Sequence, residues 1–77
     1  MDAENLEILR ISWAINDGDV VGLRSIDTRI MRTHPAVVLN GELLPRVRQL
    51  IKAGALVWQQ ENASVRITEE GKALLAS

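Results

Sequence analysis

Leu50-Ile51-Lys52-Ala53-Gly54-Ala55-Leu56-Val57-Trp58 and, after a short polar stretch, Val65-Arg66-Ile67-Thr68-Glu69-Glu70-Gly71-Lys72-Ala73-Leu74-Leu75 decide how this chain is read. A helical apolar period reaches Ile51 and stops at Gly54, the residue type that ends a helix in the left-handed conformation without steric cost. Leu56, Val57 and Trp58 then begin a strand, Gln60-Glu61-Asn62-Ala63 form a polar tip, and Ser64 to Ile67 return antiparallel. Thr68 caps a closing helix whose first turn holds Glu69 and Glu70, where the helix dipole favours carboxylates. Leu74 and Leu75 of that helix are expected to pack back on the core. Helix, hairpin and helix follow one another with no spare residues between them.

Working backwards, the helix that ends at Gly54 is expected to run from Glu42 to Ala53. Pro45 then lies in its first turn, where the missing N–H would have had no partner. With Val47 at the centre of the buried face, Leu43, Leu44, Leu50, Ile51 and Gly54 lie beside it. Gln49, Lys52 and Ala53 point away, and Arg46 and Arg48 flank them. Leu23 to Thr33 carries Leu23, Ile26, Ile30 and Met31 on one side and Arg24, Arg29 and Arg32 elsewhere, which predicts a second helix. His34-Pro35 closes it, because the residue before proline is pushed out of the helical region. Ala36 to Leu39 is expected as a bridge to the Asn40-Gly41 turn.

At the N-terminus, Asp2 or Glu4 can cap a first helix whose apolar residues Leu6, Leu9 and Trp13, with Ile8, Ile11 and Ile15, recur at three- and four-residue spacing. Two apolar rows either fill one core or divide between the core and a partner. Asn16-Asp17-Gly18-Asp19 ends this helix, and Val20-Val21-Gly22 is either a brief extended segment or the first turn of the second helix. Trp13 and Trp58 sit at apolar-phase positions and are expected in the core.

Seventy-seven residues are expected to form a single domain, 1–77. A chain of this size buries only about 60% of its unfolded surface, so its stability margin is thin. Hydrophobic residues make up 47% with no Phe or Tyr, which leaves an aliphatic core. Zero cysteines exclude a disulfide framework and a thiolate metal site and fit a cytoplasmic setting. No apolar run approaches the roughly 18 residues of a bilayer span, and Met1-Asp2-Ala3-Glu4 is acidic where a secretory signal is basic.

The net charge of −1 is unevenly distributed. Residues 1–19 set Arg10 against Asp2, Glu4, Glu7, Asp17 and Asp19, a net of −4. Residues 20–52 set Arg24, Arg29, Arg32, Arg46, Arg48 and Lys52 against Asp27 and Glu42, a net of +4. Residues 53–77 come to −1. The middle third is therefore basic and Arg-rich, which suits forked hydrogen bonds to phosphate or carboxylate, though a charge block can also be a solvated surface.

Leu50 to Val57, the hairpin containing Arg66, and Ile67-Thr68-Glu69-Glu70-Gly71 resemble the bacterial winged helix-turn-helix regulators over residues 46–76. In that family a Leu-x-x-x-Gly element ends the recognition helix, and a (Leu/Ile)-Thr-x-x-Gly element follows the wing. The resemblance implies an α+β winged helix of three helices, a two- or three-stranded wing and a short C-terminal helix. It implies a transcriptional regulator that binds double-stranded DNA, with Arg46, Arg48, Gln49 and Lys52 facing the groove, Arg66 on the wing, and Arg29 and Arg32 on phosphates. It also implies a homodimer built on the outer row of the first helix, from Leu6, Ile8, Ile11 and Ile15.

Three departures keep a second reading open. His34 to Gly41 is longer and more apolar than the family's tight turn, Gly41-Glu42-Leu43-Leu44-Pro45 lacks the Ser, Thr and Asn residues that meet phosphates there, and the wing tip carries Glu61. The same scaffold can serve as a protein-interaction module, an adaptor or a phage-type inhibitor, offering its Arg-rich face to an acidic partner. His34 is the only histidine and has no companion metal ligands. No nucleophile elbow, Gly-rich phosphate loop or His-Glu-x-x-His pattern is present, so neither an enzyme nor a cofactor is expected.

Overall fold

The computed structural model describes residues 1–77. It is an α+β fold of five helices and a three-stranded antiparallel sheet. Helix α1, Ala3–Ala14, starts at Asp2, whose carboxylate accepts from the Asn5 N–H at 2.9 Å. Ile8, Leu9, Ile11 and Ser12 form its buried face. The Ser12 hydroxyl donates to the Ile8 carbonyl at 2.7 Å, so the one buried polar side chain is satisfied. Asp17 and Gly18 then turn the chain in the left-handed region, at φ 52° and 88°.

Strand β1 is only Val21–Gly22, and helix α2, Leu23–Ile30, begins at once. The Leu23 N–H donates to the Ala63 carbonyl at 2.9 Å, which pins the start of α2 to the far end of the hairpin. Helix α2 is three residues shorter than the sequence pattern suggests, because Met31 to Thr33 are a turn. Pro35 does not merely close it. It opens a further helix, α3, Pro35–Leu39, in which Val37 is buried. Proline at the first helical position loses no hydrogen bond, and Val37 gains a place in the core, so the expected bridge is a helical turn.

Helix α4, Leu43–Lys52, lies within one residue of expectation at each end. Gly54 follows it at φ 82°, and the Ala55 N–H reaches back to the Leu50 carbonyl at 2.9 Å. Strands β2, Leu56–Gln60, and β3, Ser64–Ile67, pair with Leu56 opposite Ile67, Val57 opposite Arg66 and Trp58 opposite Val65. The register slips between Trp58 and Gln60. Strand β3 is central, with β1 on its other edge through Val21 opposite Val65. Helix α5, Glu69–Ala76, is capped by the Thr68 hydroxyl, which accepts from the Gly71 N–H at 3.0 Å. That same hydroxyl donates to the Gly54 carbonyl, so one side chain joins the end of α4 to the start of α5.

Fourteen buried hydrophobic residues, drawn from every helix except α5 and from all three strands with their flanks, make one core. Two expectations about it fail. Trp13 is 40% exposed, with the Lys72 ammonium 4.9 Å from its ring centroid, while Trp58 is half-buried against the core. Leu74 is exposed and only Leu75 packs inward. Trp13 and Leu74 lie on the far edges of their helices' apolar faces, where a small core offers nothing more to bury against. No helix is long and apolar enough to cross a membrane.

Candidate nucleic-acid interface

Helix α4 buries Leu43, Val47 and Leu50 and turns Pro45, Arg48, Gln49, Lys52 and Ala53 to solvent, the 3.6-residue segregation its sequence specifies. The Arg48 guanidinium donates to the Asn62 side-chain oxygen at 3.3 Å. Asn62 is in the hairpin turn at φ 61°, a left-handed position asparagine tolerates. The exposed side of α4 and the hairpin tip therefore form one continuous surface. Arg48 and Lys52 take part in none of the five ion pairs, and their charges face water.

Arg66 is exposed on β3 between the buried Val65 and Ile67, and shares the outer sheet face with Val57. It too makes no ion pair. Gln49 keeps its amide nitrogen free, while its oxygen accepts from the Asn5 side chain at 3.4 Å.

The remaining sequence candidates are placed elsewhere. Arg46 does not face outward. Its guanidinium donates to Asp2 at 2.8 Å and to Asn5 at 3.0 Å from Nη1, and to Glu42 at 3.1 Å from Nε; Glu4 lies 4.0 Å away. The hydrogen bond from Arg46, followed by that from the Asn5 N–H, holds the Asp2 carboxyl below its ordinary value. The reciprocal bond to Asp2, with Glu42 adding to it against the cost of burial, raises the pKa of Arg46. Sequence periodicity put Arg46 on the flank of the helix correctly, but the flank is covered by the acidic start of α1.

Arg29 lines a shallow groove with Ile15, Ser25 and Thr28, on the side of α2 that faces the end of α1. Asp27 lines a second groove with Leu23 and Arg24, toward α3 and α4. Arg32 is exposed in the turn after α2, next to Thr33, whose hydroxyl donates to Glu7 on α1 at 3.0 Å. The structure therefore groups Arg48, Gln49 and Lys52 on the exposed side of α4 and sets Arg66 on the adjoining hairpin, whereas Arg46 is taken up by Asp2 and Glu42 and Arg29 and Arg32 lie on and just after α2.

No protein-family model, curated protein or solved structure matches this chain.

Arg24, counted in the basic middle third, was not among the candidate contacts. Arg24 borders both the Arg29 groove and the groove between α2 and α4 lined by Leu23, Val38, Leu43 and Leu44. The expected dimer residues also need correction. Ile8 is fully buried and Ile11 is 7% exposed, so both belong to the core of the single chain and have no surface for a second copy. Leu6 is half-buried, and Ile15 packs against that core.

Chemically, the surface offers a guanidinium, an ammonium and an amide along about one turn of one helix, with a second guanidinium on the hairpin. Arginine forks and lysine point charges bind phosphate oxygens, and a glutamine amide pairs with the edge of adenine.

Proposed function

We propose that this chain is a small winged-helix protein that binds double-stranded DNA as a sequence-specific transcriptional regulator. Helix α4 enters the major groove and the β2–β3 hairpin lies along the backbone. The observation that carries this reading is the continuous surface from Lys52 and Arg48 to Asn62, in which helix and hairpin are joined by a side-chain hydrogen bond. The element order also supports it: a two-residue strand between the first helices, a hairpin directly after the exposed helix, and the strand order β1-β3-β2. Gln49 reads base edges, while Arg48, Lys52 and Arg66 contact phosphates.

The test is a salt titration of binding to a labelled duplex. With about three phosphates neutralised per chain, log affinity falls against log salt with a slope near −3. In Arg48→Ala/Lys52→Ala the slope drops to about −1 and binding weakens for every sequence. Selection from a random pool then enriches one motif. A wild-type slope of zero rejects the proposal.

A second reading is favoured by one observation, the sequestration of Arg46 by Asp2 and Glu42 at the start of α4. Carboxylates at that end repel a duplex, and the net charge of −1 adds no long-range attraction. On this reading the Arg48–Lys52 surface docks an acidic protein. A flat response to duplex, with saturable binding to an acidic peptide that the same double variant abolishes, would select it.

A further inference from the structure

Of the three cations on α4, only Arg46 is held by carboxylates, and the holding group comes from the very start of the chain. Glu42 is on the same helix, one turn earlier, and steadies the Nε edge of the guanidinium. Asp2 takes the Nη1 corner from α1, at 2.8 Å. The two partners differ in exposure. The Arg46 side chain is 19% exposed, whereas that of Asp2 is 52% exposed and is otherwise fixed only by accepting from the Asn5 N–H.

A carboxylate on a guanidinium corner uses the same donors, at the same distances, as a phosphodiester oxygen. An ion pair with one partner this open to water is weakly held and strongly screened by salt. Asn5, one turn along α1, bonds both Arg46 and Gln49. The N-terminal turn of α1 therefore touches two groups one helical turn apart on α4, one suited to phosphate and one to a base edge.

We propose that Arg46 is a phosphodiester-binding site which Asp2 fills in the free chain, and that a DNA backbone phosphate displaces Asp2 from it. This inference rests on the DNA-binding reading and adds to it a masked contact. The Asp2 carboxylate is a competitor built into the chain. Its removal frees the Nη1 corner of a fourth cation, in addition to Arg48, Lys52 and Arg66, while Glu42 keeps the Nε edge.

Asp2→Asn separates the roles of the residue, because asparagine caps a helix as well as aspartate does but carries no charge. With a random-sequence duplex at low salt as the probe, Asp2→Asn binds about fivefold more tightly than wild type, the scale of one exposed ion pair. Its salt slope equals that of wild type, because the phosphate reaches Arg46 in both. Removing any acidic residue improves DNA binding somewhat through the general field, so the same substitution is also made in Arg46→Gln. There the gain shrinks below about twofold, and the slopes of both proteins are shallower by about 0.9.

An equal gain in both backgrounds overturns the proposal and leaves the DNA reading intact. So does wild-type binding that Asp2→Asn fails to improve. Binding by neither protein overturns both readings together, and binding by Asp2→Asn alone overturns the displacement, since no phosphate then removes Asp2 in the wild-type chain. Independently of any variant, the Arg46 Nε–H resonance of the wild-type protein moves when duplex is added; a stationary signal at saturating duplex overturns the proposal.

Discussion

Two glycines near the hairpin do opposite jobs, and substitution tells them apart. A Cβ on Gly71 would overlap the Ala55 carbonyl oxygen and lie 2.7 Å from Ile67 Cγ1, so α5 approaches the chain between α4 and β2 only because this position has no side chain. Gly54 has open space around its would-be Cβ but a φ of 82°. Gly71→Ala is therefore an overpacking change against backbone, and should lower stability by about 2 to 3 kcal/mol or unfold so small a chain. Gly54→Ala meets only conformational strain, of about 1 kcal/mol, and Gly54→Asn meets less. Urea unfolding of the three variants checks the order, and equal losses from Gly71→Ala and Gly54→Ala would refute the packing argument. Thr68→Ala is the companion test: it removes the cap of α5 and the bond to Gly54 together. The expected cost is about 1 to 2 kcal/mol by the same measurement.

At the scale of elements, α3 is the part of the fold that the sequence concealed. Five residues are too few to show a helical period, and the Pro that starts a helix reads equally well as the one that ends its predecessor. Only the core settles the matter, by burying Val37 while leaving Leu39 71% exposed. Val37→Ala should cost about 2 kcal/mol from two lost methyl groups and the space they leave, whereas Leu39→Ala should change stability by less than about 0.5 kcal/mol. Similar losses at both positions would mean that this segment docks differently. The longer elements were legible because each carries its own stop signal. Gly54 ends α4, Thr68 starts α5, and the Asn62 turn separates strands whose alternation places Val65 and Ile67 inward and Arg66 outward. Helix α1 was legible in extent but not in role. Its two apolar rows leave open whether Ile8 and Ile11 face the core or a partner, and the packing of α2, α4 and α5 around it resolves that choice in favour of the core.

Across the whole molecule, charge proved harder to read than apolar pattern, because periodicity assigns a side chain to a face but not to a neighbour. Arg48, Gln49 and Lys52 reached the solvent face their spacing demands, while Arg46, two residues from Arg48, is opposed by Asp2 across a sequence gap of 44. No local rule connects those two positions; the packing of α1 on α4 does. The acidic N-terminal third and the basic middle third are therefore partly one neutralised pair rather than two separate faces. This has a consequence for acid stability. The Asp2 carboxyl is held below its ordinary value of 3.8 by Arg46 first and by the Asn5 N–H second, so folding favours its ionised form. A depressed folded-state pKa contributes stability that is present above the unfolded value and is lost as pH falls through the folded one. Wild type should therefore exceed Asp2→Asn in stability at neutral pH by a small margin that shrinks below about pH 5 and vanishes once Asp2 is protonated in both states. Molar salt at neutral pH should reduce the same margin, since the carboxylate is exposed. Urea midpoints for the two proteins across that pH range supply the measurement, and a margin that stays constant into acid would show that the charge of Asp2 contributes nothing to stability.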